Sequence, residues 1–376
     1  MTCDIEEGDS MTGELMPILG YDAIEFYVGN ARQAAHYYRT AYGFEVVAYA
    51  GPEHGVRDRC SYVLEQNGIR FVMTAGLTAD SPVVQHQARH GDGVKDVAFS
   101  VPDAEAAFRI AVERGAAPGE EPHVIEDEHG KLVVSSIEAY GETIHSFVDR
   151  SNYSGVYAPG YRATRHQQPA DPMGLRYVDH VVCNVNLGEM DRWAAYYADI
   201  MGFSQLHHFN DEQISTEYTA LMSKVLWDGS GRIKLPINEP ADGRKKSQIE
   251  EYLDFYGSAG VQHMALATDD IVATVRKMRA AGVRFLSTPQ TYYEELRDRL
   301  DWSTIDAELA ELAELGILAD QDDEGYLLQI FTKAVQDRPT VFYEIIERHG
   351  SRGFGVGNFQ ALFEAIERDQ AERGNL

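Results

Sequence analysis

The chain has 376 residues, enough for two or three domains that each bury a core, and its 44% hydrophobic and 25% charged residues are ordinary for a globular protein. With 60 acidic against 33 basic residues its formal charge is −27, which removes the basic footprint that a phosphate backbone or an anionic membrane needs. Neither nucleic acid nor membrane is expected as a partner. Three scattered cysteines, Cys3, Cys60 and Cys183, rule out a disulfide framework or a four-thiolate metal site and fit reduced thiols in a cytoplasmic protein.

In chain order, residues 1–16 are acidic, lack the apolar core of a signal peptide and read as a disordered tail. Residues 22–49, DAIEFYVGNARQAAHYYRTAYGFEVVAY, give an alternating strand, a polar turn, a helix ending in two tyrosines, and a Gly-Phe step into a further strand. GDGVKDVAF (91–99) is a strand followed by the helix PDAEAAFRIAVERGAAP, which Asp103 is placed to cap. Residues 151–176, rich in Gly, Pro and polar residues and without helical or strand period, read as a linker.

The pattern then returns. Residues 179–209, DHVVCNVNLGEMDRWAAYYADIMGFSQLHHF, repeat the first segment, and SAGVQHMAL (258–266) with its helix, capped by Asp269 or Asp270, repeats the second. Each half thus holds two strand-helix-strands modules. Residues 290–325, helical at DAELAELAELG, are an insertion without a counterpart in the first half. Near the end Phe359, Leu362, Phe363 and Ile366 fall at helical spacing, with Asn358 in position to cap the helix.

The repeat supplies its own control. His180 stands where the first half has Ala23, His263 where it has Asp96, and aligning HSFVDR with YEIIER on Arg150 and Arg348 sets Glu344 opposite Ser146. Strand alternation gives His180 a face with Val182 and Asn184, His263 a face with Ala265 and Ala267, and Glu344 a face with Phe342 and Ile346. A lone strand histidine is more often a hydrogen-bonded core residue, and a lone buried glutamate half of an ion pair. Three such residues, each replaced by a non-matching one in the sister copy, point instead to a shared cation, because an unpartnered buried carboxylate costs several kcal/mol. Two histidines and one carboxylate with three open positions is the facial arrangement of non-haem Fe(II) oxygenases. Gln329 and Phe331 share a face of YLLQIFT, which aims an amide into an apolar interior, whereas Gln262 lies on the face opposite His263 and reads as a support behind it.

Six segments in order, LPINEP (235–240), KKSQIEEYL (245–253), AGVQHMAL (259–266), GYLLQIFTK (325–333), RPTVFYEIIER (338–348) and GFGVGNF (353–359), make the chain from about residue 17 resemble the 4-hydroxyphenylpyruvate dioxygenases of the vicinal oxygen chelate superfamily. The resemblance implies an α+β fold of two homologous domains, each of two βαβββ modules forming an open β-barrel. A structural domain would span 17–150, a linker 151–176 and an iron-binding catalytic domain 177–376, with a C-terminal helix closing the site. It implies one Fe(II) per chain on His180, His263 and Glu344. The expected reaction takes a small aromatic 2-oxo acid, 4-hydroxyphenylpyruvate, and O2 to homogentisate and CO2, in the catabolism of tyrosine and phenylalanine by a homodimer or homotetramer.

By the same resemblance Ser223, Asn238, Gln248 and Gln329 act on the substrate, and Pro236, Gln262, Phe331, Phe342, Phe354 and Phe359 bind it. Val356 replaces a lysine frequent in the family, so a charged latch at that position is not expected. Pro236, Asn238 and Phe359 resemble the dioxygenases rather than the 4-hydroxymandelate synthases, which share fold, iron and substrate. A ligand-sequestering protein of this fold would need no triad in either half. The GFGVGNF run lacks the strand-loop-helix setting of a nucleotide-binding loop.

Overall fold

The computed structural model describes residues 15–164, 169–209, 220–241 and 243–375. The expected tail lies outside the described residues up to position 14; Leu15 and Met16 are placed, with Met16 buried. The first module runs β1 (Gly20–Tyr27), α1 (Ala31–Tyr42), β2 (Glu45–Ala50), β3 (Arg59–Gln66) and β4 (Ile69–Gly76), and α2 (Pro82–His90) leads to the second. That module is β5 (Gly93–Ser100), α3 (Ala104–Glu113), β6 (His123–Asp127), β7 (Gly130–Glu138) and β8 (Ile144–Tyr153), followed by the short β9 (Arg162–Ala163).

The second half repeats the order with β10 (Leu175–Asn184), α4 (Met190–Met201), β11 (Ser204–Phe209), β12 (Ala220–Trp227), β13 (Lys234–Ala241), α5 (Gln248–Tyr256), β14 (Gly260–Thr268) and α6 (Ile271–Ala280). Next come α7 (Gln290–Arg299), α8 (Leu309–Leu315), β15 (Leu318–Asp322), β16 (Gly325–Phe331), β17 (Phe342–His349) and α9 (Phe359–Glu372). The sheets read β6-β7-β8-β5-β1-β4-β3-β2-β9 and β11-β12-β13-β10-β14-β17-β16-β15. In both, two βαβββ modules meet through one antiparallel central pair, β1 with β5 and β10 with β14. The fold is therefore the expected α+β pair of curled half-barrel sheets.

Local signals explain the elements. The Gly-Phe steps are helix stops: Gly43 and Gly202 take φ of 75° and 75°, and the following Phe44 and Phe203 are buried. Asp103 Oδ1 accepts from the Ala106 N–H at 2.9 Å, and Asp270 rather than Asp269 caps α6 by accepting from the Ala273 N–H at 2.9 Å.

Three expectations are corrected. The linker is not free of strand: β8 continues to Tyr153, Arg162 and Ala163 pair with β2, and Leu175 and Arg176 already belong to β10. The insertion is shorter than 290–325, because β15 and the start of β16 occupy the place that β6 and β7 hold in the first half. Its helical part, α7 and α8, is the true addition. Asn358 does not cap α9. Its own backbone is already helical (φ −100°, ψ −11°), which turns its side chain away from the first-turn N–H groups. Its Oδ1 instead accepts from the Tyr292 hydroxyl at 2.6 Å and Arg299 Nη2 at 3.0 Å, so α7 of the insertion anchors the entry to α9.

One continuous core runs through both halves. Tyr38 and Tyr42 of α1 pack with Phe71 on Tyr343 of β17, and the Tyr343 hydroxyl donates to that of Tyr38 at 2.8 Å. By alternation the residue after Tyr343, Glu344, faces the other way, into the second barrel.

Candidate active site

Adjacent central strands bring the three expected ligands together. Ala265, beside His180 in the register of β10 and β14, is also beside Glu344 in that of β14 and β17, while His263 lies opposite Val182. Glu344 Oε2 sits 3.1 Å from His180 Nε2 and 3.7 Å from His263 Nε2, and one donor atom from each residue lies within 4.8 Å of the others.

What fixes the imidazoles is a second set of contacts. His180 Nδ1 is 2.7 Å from Asp179 Oδ1, and His263 Nδ1 is 2.9 Å from Gln262 Oε1. Both acceptors require the proton on Nδ1, leaving the Nε2 lone pairs aimed at the Glu344 carboxylate. Asp179 is itself buried and held by Arg348, Nε to Oδ2 at 2.8 Å and Nη2 to Oδ1 at 2.9 Å, and by Lys234 Nζ at 3.1 Å. Burial alone would raise the Asp179 pKa, but His180 and Arg348 bring it well below the usual carboxylate range. Burial likewise works against charge on Glu344, yet the two imidazoles hold it down to about 2. For His263 burial wins and lowers the pKa, whereas for His180 burial is outweighed by Glu344 and Asp179 and the pKa rises. An ionised carboxylate and two imidazoles whose Nε2 atoms converge on it form a donor set that suits a divalent metal, which would replace the proton that the raised His180 pKa favours.

The triad forms the floor of a concave cavity with about 620 Å³ of empty space counted out to its open mouth. Ser223 and Asn238, opposite each other on β12 and β13, contribute polar groups, and Pro236 lies two residues along the same face. Gln248 enters from the first residue of α5, whose start is fixed by the reciprocal bonds of Ser247 and Glu250. Phe342 stacks on His263 with centroids 4.8 Å apart, Phe331 meets it edge-on at 6.0 Å, and Phe354 lies edge-on to His180 at 5.0 Å. Gln262 and Phe359 complete the expected lining.

Of the expected residues Gln329 alone is not at the cavity wall. It is buried, its Nε2 has no hydrogen-bond partner, and it lies directly beneath Gly355. Gly355 has φ of 73°, and a Cβ there would strike the amide, so glycine is required both for the turn and for the approach. Asn184, read as sharing the face of His180, is also outside the wall, because a register break between Val182 and Cys183 ends the alternation.

Comparison with known proteins is consistent with this geometry. Residues 13–161 match the family described as hydroxyphenylpyruvate dioxygenase, N-terminal, and residues 177–330 match the glyoxalase/bleomycin resistance protein/dioxygenase superfamily. The chain is 48% identical to the 4-hydroxyphenylpyruvate dioxygenase of Dictyostelium discoideum over 95% of its own length and 100% of the relative's, and 46% identical to that of Xenopus tropicalis over 95% and 93%. The chain belongs to the 4-hydroxyphenylpyruvate dioxygenases. A solved triple mutant of 4-hydroxymandelate synthase from Streptomyces coelicolor is 32% identical, with a TM-score of 0.84 over 94% of this chain and 100% of that one.

As a 4-hydroxyphenylpyruvate dioxygenase the chain uses its two halves differently. In the first barrel Ala23, Asp96 and Ser146 occupy the triad positions, and the Ser146 hydroxyl and N–H donate to Asp96 at 2.5 and 3.0 Å. The outer ion pair is nonetheless retained: Arg150 binds Asp22 through Nε at 2.5 Å and Nη2 at 2.8 Å, as Arg348 binds Asp179. The Arg150 guanidinium lies over the Tyr157 ring at 4.9 Å, and that of Arg348 over the Phe354 ring at 5.5 Å. Tyr157 and Tyr161, from the segment read as linker, pack on Ala23, Ala48, Val63 and Val72 and fill the first barrel. Sequence reasoning gave no role to Asp179, Arg348 and Lys234. The paired Asp and Arg at matching places in both halves were the available signal.

Proposed function

We propose that His180, His263 and Glu344 hold one Fe(II) per chain and that the pocket above them binds 4-hydroxyphenylpyruvate, which the enzyme converts with O2 to homogentisate and CO2. The observation that carries the metal reading is the pair of imidazoles locked by Asp179 and Gln262 so that both Nε2 lone pairs converge on an ionised carboxylate. Bound there, Fe(II) would chelate the 2-oxo acid and activate O2, the substrate's own oxo acid supplying the two electrons that a separate co-substrate would otherwise provide.

The rest is done by the chain. Arg348 and Lys234 balance Asp179 and the ionised Glu344 one for one, so a bound divalent metal would leave the floor positive for an anionic substrate despite the remote, screened charge of −27. Phe331, Phe342, Phe354 and Phe359 hold the aromatic ring, with Pro236 shaping the wall. Ser223, Asn238 and Gln248 offer hydrogen bonds to its phenol, and Gln329 positions the closing segment through Gly355. Leu362, Phe363 and Ile366 of α9 form an apolar cover that excludes water. Pro236, Asn238 and Phe359 favour ring hydroxylation over benzylic hydroxylation. The first half is structural, its barrel filled by Tyr157 and Tyr161.

The test is O2 uptake by the Fe(II)-reconstituted enzyme with 4-hydroxyphenylpyruvate and identification of the product. Homogentisate supports the reading, 4-hydroxymandelate overturns the pocket argument, and absence of uptake overturns the function. His180→Ala, His263→Ala and Glu344→Ala should each lose iron and turnover while keeping a wild-type circular dichroism spectrum; activity in any of them refutes the ligand set. Among the described residues no helix is long and apolar enough to cross a membrane. Family likeness supports a homodimer or homotetramer, and Cys60 and Cys183 are free thiols as expected for the cytoplasm. Sedimentation of the purified enzyme as a monomer would refute the oligomeric state.

A further inference from the structure

A second cluster of metal-ligating side chains lies outside the active site, between the two halves. His86 and His90 stand four residues apart on α2, on one face of the helix, and Glu142 in the β7–β8 turn faces them. One donor atom from each lies within 4.8 Å of the others, and His90 Nε2 is 3.3 Å from Glu142 Oε2. His86 is 4% exposed and His90 0%.

Two features are hard to reconcile with a plain core. His90 Nδ1 is 2.6 Å from the Tyr256 carbonyl and must donate to it, so a neutral His90 turns an Nε2 lone pair toward a carboxylate oxygen. Two acceptors facing each other need a cation between them. His86 has no hydrogen-bond partner at either ring nitrogen although it is buried, with its ring edge-on to Tyr27 at 5.3 Å and 4.5 Å from that of His90. We infer that His86, His90 and Glu142 form a second, structural divalent-metal site of the Zn(II) type, with water completing a tetrahedron.

The surroundings permit it. Neither ring nitrogen of the buried His86 is engaged by a hydrogen bond, and His90 Nε2 is likewise without one. Arg89 pairs with Glu142, but its side chain is 61% exposed and free to swing into solvent when a metal takes the carboxylate. Lys95 donates to the Glu142 backbone carbonyl rather than to its carboxylate, and Arg338 is engaged with the Arg89 carbonyl at the end of α2. Because His90 also holds Tyr256 of α5, a bound ion would tie α2, the turn and the second half together.

The test is equilibrium dialysis of the full-length, chelator-stripped enzyme against Zn(II), with metal analysis. About two ions per chain are expected in the wild type and about one in His86→Gln, Glu142→Gln and His263→Ala, the last isolating this site from the active-site triad. Iron-loaded His86→Gln and Glu142→Gln should keep wild-type turnover. Glu142 is half-exposed, so its variant folds even if the buried His86 change does not. A Zn(II)-induced rise in Tm that survives His263→Ala and disappears on adding Glu142→Gln would support the site. No ion bound to His263→Ala, or binding in that background that Glu142→Gln leaves intact, would overturn it; the former result would mean that a proton on His90 satisfies Glu142.

Discussion

His180 and His263 are held by acceptors of different charge, and the difference sets what each support should lose. Gln262→Leu removes a neutral acceptor from His263, so iron affinity should fall about 10- to 100-fold. Stability should change little by comparison, since no charge is stranded. Asp179→Asn should also weaken iron binding, but it leaves the part-buried Arg348 and Lys234 without their counter-charge and should cost up to about 3–5 kcal/mol of stability. Iron retention in dialysis and urea denaturation separate the two effects. In the first half Asp96 carries a different burden: burial raises its pKa from 3.8 to about 7, with Glu25, its cross-strand neighbour, adding to the rise. A carboxyl whose folded pKa is raised lends stability that is complete below pH ~4 and is lost as pH climbs through 7. Asp96→Asn should therefore flatten the stability profile between pH ~4 and ~7 and gain on the order of 1–4 kcal/mol at pH 8, with iron content unchanged. Comparing the two copies was enough to single out the three side chains that the fold gathers, because each replaces a non-matching residue. Asp179 and Arg348 escaped that comparison because Asp22 and Arg150 match them, and a control by difference is blind to what both copies share.

At the scale of elements, the segment from Ser351 to α9 is where periodicity and capping rules were least reliable. Helical spacing placed α9 and its apolar face correctly, and Val356, in place of a lysine, is exposed as a residue without a latch would be. The latches lie elsewhere. Arg373 and Asn375 bind Glu251 of α5 at 2.7 and 2.7 Å, and Lys333 binds Asp369 at 2.7 Å. Arg373→Gln should loosen the end of α9, seen as faster amide hydrogen exchange over residues 359–372 than in the wild type, with the central strands unaffected. Phe359 opens the same helix at the cavity wall. Phe359→Ile should divert a measurable share of product from homogentisate to 4-hydroxymandelate, read by chromatography, with iron binding intact; an unchanged ratio would remove this residue from the regiochemical wall. Asn358 shows why a capping residue can be misread. Its sequence position is right, but the preceding turn had already set its backbone, and α7 claimed its oxygen.

For the whole molecule, the shared core means that the halves stabilise each other, and β17 is the element that joins this task to the active site. Tyr343 faces α1 while Glu344 faces the pocket. Tyr343→Phe should lower stability by about 0.5–1.5 kcal/mol in chemical denaturation, through loss of one buried hydrogen bond, without loss of iron. By itself the sequence determined the repeat, its module order and the identity of the triad, since strand and helix periods and glycine stops are local and the two copies constrain each other. The tertiary structure decided what no local rule carries. It set the tautomers of His180 and His263, which depend on neighbours packed behind each ring, and it filled the first barrel with Tyr157 and Tyr161 from a segment without period. It also brought His86, His90 and Glu142 together, because two of these are one helical turn apart and the third arrives only when a distant hairpin turn folds back against them.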